Sequence, residues 1–141
     1  MPGRPCGGDV YLADTSAFAR TREPSIRARI SALADQLSLC EVVVFELGTT
    51  ARNDEEYDRL MTDLRAYPWA PIDDGVWEAA RSTQRALVRG GLHRTVRMPD
   101  LIIAAAAAAA ELTVLHYDRD FDQIAAVTGQ PVEWVVPAGS L

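Results

Sequence analysis

The run PDLIIAAAAAAAELTVLHYDRDFDQIAAVTGQPVEWVV, residues 99–136, decides the fold class. Pro99 suits the first turn of a helix, where its missing N–H is no loss, and the apolar stretch behind it continues to about Glu111. Thr113–His116 (TVLH) then reads as a strand. Asp120–Val127 is a short helix that Gly129 stops, and Val132–Val136 is a further strand. A helix between successive strands is the signature of a parallel sheet.

The same alternation extends towards the N-terminus. Val10–Ala13 (VYLA) is a short apolar strand that ends at Asp14. Glu23–Gln36 is an amphipathic helix, with Ile26, Ile30 and Leu33 on one face and Pro24 near its start. Leu37–Phe45 is ambiguous, because its valines favour a strand while Val43, Glu46, Leu47 and Thr50 share a helical face. It divides into a strand at Ser38–Cys40 and a helix through about Ala51. Asp54–Ala66 is helical, with Tyr57, Leu60, Met61 and Leu64 as its buried stripe. Trp69–Ile72 is a strand, and Asp73 or Asp74 caps a helix at Val76–Arg89 that Gly90-Gly91 ends. The expectation is an α/β/α sandwich around a mainly parallel sheet of about five strands. Ligands of such sheets bind beyond the carboxyl ends of the strands.

A length of 141 residues and a mass of 15.4 kDa suit one domain spanning residues 1–141. The apolar share of 48% and charged share of 24% are ordinary for a globular chain and exclude disorder. Only Cys6 and Cys40 are present, far apart, so neither a disulfide scaffold nor a cysteine-built zinc site is expected. Residues 1–9, rich in proline and glycine, read as a flexible N-terminal segment without the apolar core of a signal peptide. The longest strongly apolar stretch, Leu101–Ala110, is about half of what a bilayer span needs. A cytoplasmic protein with reduced thiols and no membrane partner is expected. The net charge of −6 excludes a general positive field for coating nucleic acid, though not an enzyme that touches it at one place. All 14 basic side chains are arginine. Without lysine, a Walker A phosphate loop and Schiff-base catalysis are excluded.

Four carboxylates stand out. Asp14 follows the first strand, Asp118 follows Thr113–His116, Asp100 sits in the first turn of its helix, and Glu46 interrupts an otherwise apolar helix. Singly, a helix cap, a dipole partner or a solvated turn accounts for each aspartate. Glu46 is harder to explain this way, because a lone carboxylate on an apolar helix needs water or a partner. Jointly, the four can converge at one sheet edge. Two like charges ~4 Å apart repel by about 4 kcal/mol at an effective dielectric of 20, so such a group needs a cation or a proton. With only hard oxygen ligands, Mg²⁺ or Mn²⁺ fits.

The chain resembles the PIN-domain ribonucleases, and most closely the VapC toxins of bacterial toxin–antitoxin pairs. The matching segments are YLADTSAFAR (11–20), VVVFELGTTAR (42–52), GGLHRTVRMPDLIIAAA (90–106) and LTVLHYDRDFDQIA (112–125). They occur in family order and span nearly the whole chain. The resemblance implies that Asp14, Glu46, Asp100 and Asp118 are catalytic and coordinate the metal, with Asp120 as an outer participant. Ser16 matches a hydroxyl that orients a carboxylate or a water. Two departures stand out: His116 replaces a frequent threonine or serine, and Ala104–Ala110 lacks the hydroxyl often found on that helix. The resemblance further implies a Mg²⁺-dependent endoribonuclease (Mn²⁺ being the alternative ion) that leaves 5′-phosphate and 3′-hydroxyl ends. It also implies a homodimer neutralised by a cognate VapB-type antitoxin, with Phe18–Leu37 contributing to the antitoxin groove.

An RNA substrate needs positive contacts on this acidic chain. Arg81, Arg85 and Arg89 follow one helical face, and His93, Arg94 and Arg97 lead to Asp100. Arg81, Arg85, Arg94 and Arg97 are the candidate phosphate contacts, since arginine grips phosphate bidentately. The bland alternative is a solvated face. His93 reads as a surface or packing residue, and Trp69, Trp77 and Trp134 as core or dimer packing. Rival functions fit less well. A phosphohydrolase with Asp14 as nucleophile lacks the second acid at position 16, which is Ser16. A receiver module lacks its lysine. A catalytically silent scaffold that binds antitoxin or RNA is the alternative that the intact acid set disfavours.

Overall fold

The computed structural model describes residues 10–141. The flexible segment expected at residues 1–9, with Cys6, lies outside the described residues. Strand β1 (Tyr11–Ala13) is followed by a single helical turn, α1 (Thr15–Phe18), and by α2 (Pro24–Leu33). A 3₁₀ turn at Ala34–Gln36 leads into β2 (Leu37–Ser38). Helices α3 (Glu41–Gly48), α4 (Asp54–Leu64), α5 (Asp74–Arg89) and α6 (Met98–Ala109) follow in turn. The chain then forms β3 (Thr113–His116), α7 (Asp120–Thr128) and β4 (Val132–Trp134).

The strands form one parallel sheet in the order β2-β1-β3-β4. From β1 the chain moves one way to β2 and then crosses back over to β3. The reversal opens a crevice at the carboxyl ends of β1 and β3, where α/β sheets hold ligands. The register fixes this edge closely. Ala13 pairs with Leu115, and the Asp14 N–H continues the ladder by donating to the Leu115 carbonyl at 2.9 Å. Right-handed crossovers send α2 to one face and α6 and α7 to the other. Helix α5 packs along α6 and α7.

The expected fifth strand is absent. Trp69 bridges Leu39 at a single position, with Leu39 N–H donating to Pro68 O and Ala70 N–H donating to Leu39 O. Pro68 and Pro71 bracket this contact, and neither has an N–H with which to extend a ladder. The sheet therefore has four strands. Strand β4 is likewise short, lying between Pro131 and Pro137. Other boundaries shift by a few residues. The strand expected at Ser38–Cys40 is Leu37–Ser38, and the helix expected to reach Ala51 ends at Gly48. In α4 only Met61 and Leu64 of the expected stripe are buried; Leu60 is partly buried and Tyr57 is exposed.

Local chemistry accounts for the ends of several elements. Asn53 and Asp73 cap α4 and α5 by accepting from the N–H groups of Glu56 and Val76. Gly129 ends α7 at φ 75°, a left-handed position that glycine takes without steric cost. Ala104–Ala107 are all buried, so α6 is the central helix and its small side chains let α5 approach closely. Leu12, Ile103, Leu115, Phe121 and Ile124 are completely buried around the sheet. Phe121→Ala should cost about 3–5 kcal/mol by emptying this core. Urea unfolding followed by circular dichroism checks it.

Candidate acidic site

The end of β1 builds the first wall of the site. Asp14 is 1% exposed and caps the short α1, with its Oδ2 accepting from the Ser16 N–H at 3.0 Å. Its Oδ1 is buried without a hydrogen-bond partner. Ser16 accepts from the Tyr117 N–H at 2.8 Å, which ties the turn after β1 to the turn after β3. Thr15 donates to Glu46 Oε1 at 2.7 Å and fixes the glutamate of α3 beside Asp14. Burial raises the Asp14 pKa, the Ser16 contacts oppose it, and the Glu46 charge adds to the rise.

The start of α6 supplies the second wall. Asp100 lies in the first turn, is 0% exposed, and neither of its carboxyl oxygens has a hydrogen-bond partner. A role as helix-dipole partner does not explain an unbonded carboxylate at this depth, because burying one costs several kcal/mol. Burial, then the Asp120 carboxyl and the charge of Asp14, push its pKa up to about 9; Arg97 opposes the shift and Asp118 adds to it.

The turn after β3 closes the group. Asp118 Oδ1 accepts from the Asp120 N–H at 2.9 Å, and Asp120 Oδ2 accepts from the Arg97 N–H at 3.3 Å. Ligand oxygens of Asp100, Asp118 and Asp120 all lie within 4.8 Å of one another. This trio is the tightest acidic group among the described residues, with Asp14 and Glu46 alongside. Asp120, expected as an outer participant, lies in this closely spaced group. The unbonded oxygens, the spacing and the hard-oxygen chemistry all fit a divalent cation.

His116 is buried between Phe121 and Trp134, with ring centroids 5.0 and 4.9 Å away. Its Nδ1 accepts from the Asp118 N–H at 3.1 Å, so the ring proton belongs on Nε2. Burial lowers its pKa to about 4, keeping it neutral and able to accept. This histidine therefore anchors the Asp118 turn. Neither its part nor that of Thr15 was foreseen: Thr15 and Glu46 are 31 residues apart, and nothing in the spacing pairs them.

The arginines are dispersed. Arg97 Nη2 is 3.8 Å from Asp100 Oδ1 and 3.9 Å from Asp118 Oδ2. Arg85 and Arg94 are exposed. Arg81 pairs with Glu78 on α5. Ala79 and Thr83, on either side of it, line a cavity with Leu112 and Pro131, at the sheet edge opposite the acids. The ion pair that Arg81 makes is with its own helix. His93 is half-buried. Trp134 packs against His116 and Tyr117, Trp69 donates to Leu64 O, and Trp77 is partly exposed.

The PIN domain family model matches residues 11–127. The chain belongs to the PIN-domain family. Its relatives place it in the VapC branch. It is 44% identical to Ribonuclease VapC21 of Mycobacterium tuberculosis over 133 residues, covering 92% of this chain and 96% of the relative. The fold is that of a DNA-bound VapBC from Salmonella typhimurium, with a TM-score of 0.73 at 18% identity, covering 91% of this chain and 99% of that one. A second match is VapBC-5, a toxin–antitoxin system of Mycobacterium tuberculosis. It has a TM-score of 0.58 at 27% identity and covers 92% of this chain and 98% of that one.

Asp100 gives this PIN domain a sign-definite pH response. Its carboxyl, which ordinarily titrates near 3.8, is pushed up to about 9 on folding. Between those values the folded state holds a proton that the unfolded chain releases, so this group's contribution to metal-free stability falls as pH rises. Asp100→Asn should remove that fall and melt higher than wild type in EDTA near pH 8. It should also lose the stabilisation that Mn²⁺ gives the wild type. Thermal melts with EDTA and Mn²⁺ across the pH range check both.

Proposed function

We propose that this VapC-family chain is a divalent-metal-dependent endoribonuclease toxin, held inactive by a VapB-type antitoxin. The observation that carries the reading is Asp100: fully buried, unbonded at both oxygens, and grouped with Asp118 and Asp120. The VapC21 relative is named a ribonuclease, and VapBC-5 is titled a toxin–antitoxin system. Among the described residues, no helix is long and apolar enough to cross a membrane. Cytoplasmic RNA is the substrate in this reading, and the toxin is a homodimer.

Asp14, Glu46, Asp100 and Asp118 would hold Mg²⁺ or Mn²⁺, with Asp120 joining Asp100 and Asp118. An ion held there would supply a more acidic water and charge stabilisation at the phosphate. The protein contributes the geometry. Thr15 fixes Glu46, Ser16 holds the Asp14 turn to the β3 edge, and His116 holds the Asp118 turn. Glu46 and the turns that carry Asp14 and Asp118 are thus held in place before substrate arrives, which is the preorganisation that makes charged sites effective. Arg94 and Arg97 contact RNA phosphates beside the acids, and Arg85 extends that contact along α5. No side chain need act as a covalent nucleophile.

The test is to incubate antitoxin-free protein with total cellular RNA and Mg²⁺, Mn²⁺ or EDTA, then map new 5′-phosphate ends. Discrete metal-dependent cuts are expected. Asp100→Asn should lower the rate by more than about a hundredfold. Cuts that persist in EDTA or in the variant would overturn the assignment.

A further inference from the structure

Arg97 contacts every member of the trio Asp100, Asp118 and Asp120. Its Nη2 stands 3.8 Å from Asp100 and 3.9 Å from Asp118, and its backbone N–H donates to Asp120. Its cation also feels Asp100 most strongly, with Glu46, Asp118 and Asp14 adding to the pull.

The contact is close enough for charge but too long for hydrogen bonding, since N–H···O bonds run at about 2.7–3.2 Å. The guanidinium therefore forms no bidentate clamp, and both Asp100 oxygens stay unbonded. The Arg97 side chain is 60% exposed, so it can swing into solvent at little packing cost. Asp100 has no such freedom, because it is fully buried in the first turn of α6.

A divalent ion held by Asp100 and Asp118 would occupy the side of those carboxylates that Arg97 now faces. Two cations cannot share that space without strong repulsion. We propose that Arg97 is a built-in counter-ion of the site, which in the metal-free protein meets the negative charge of Asp118, and of Asp100 whenever that carboxyl ionises, and which the divalent ion must displace. The inference rests on the reading of these carboxylates as the metal site, but not on ribonuclease activity. It assigns Arg97 a positioning role towards the metal that is separate from any contact with RNA.

The test uses the full chain, stripped of metal, as wild type, Arg97→Gln and Arg97→Lys. Mn²⁺ binding is followed by the electron paramagnetic resonance signal of the free ion, without RNA and without air. Binding is measured at several pH values up to about 9, so that proton competition at Asp100 is separated from the effect of the arginine. A unit charge ~4 Å from a divalent ion changes affinity roughly thirtyfold at the dielectric of water, and still about fivefold when salt screening halves the energy. Arg97→Gln should therefore bind Mn²⁺ about fivefold tighter or more, and Arg97→Lys should stay closer to wild type. Melting provides a second readout. Arg97→Gln should melt below wild type in EDTA, and saturating Mn²⁺ should close or reverse that gap. Equal or weaker Mn²⁺ binding by Arg97→Gln, in a protein with a wild-type circular dichroism spectrum, would overturn the inference. Wild-type protein that binds no Mn²⁺ would overturn the metal reading itself, so the two failures are distinguishable.

Discussion

A carboxylate sealed away from water with nothing bonded to it is the constraint around which this molecule is organised. Asp100 has no exposed surface and no hydrogen-bond partner, yet it lies beside Asp118 and Asp120. Protein interiors tolerate such a group only when a proton, a neighbouring cation or a metal ion meets its charge. Much of the surrounding structure keeps it in place. Pro99 helps start the helix that carries it, buried alanines let that helix sit against the sheet, and the β1–β3 register brings Asp14 to the same edge.

The supporting contacts are mostly local and cheap. The hydroxyls of a threonine and a serine next to Asp14 join three elements: the turn after β1, helix α3 and the turn after β3. His116 does the same from within the core. It remains neutral because burial holds it so, and a neutral imidazole can accept the Asp118 N–H. A histidine in place of the family's frequent hydroxyl thus retains an acceptor for the backbone of the acidic turn.

Much of the fold was legible in the sequence because its period changes are abrupt. Thr113–His116 and the helix of residues 98–109 follow from apolar runs bounded by proline and glycine. Four acids at strand ends and helix starts could likewise be read from the chain. Trp69–Ile72 misled, because its residues favour a strand while its flanking prolines deny it a ladder. Asp120 is the least legible of these acids, since a residue two places beyond a strand-end acid looks like an ordinary helix start. Arg81 shows what a helical stripe leaves open: its spacing with Arg85 and Arg89 is in the sequence, its ion pair with Glu78 only in the structure.

The two outer strands have a consequence for how the molecule meets other chains. Strand β4 is three residues long and lies between Pro131 and Pro137, while β2 has two residues and is followed by the single bridge from Trp69. An exposed strand invites another backbone to pair with it in proportion to the length of unpaired ladder that it offers. Here the ladder ends almost as soon as it begins. Edge-to-edge aggregation through the sheet is thereby discouraged, and a parallel sheet that lacks the closure of a barrel can keep both of its borders open.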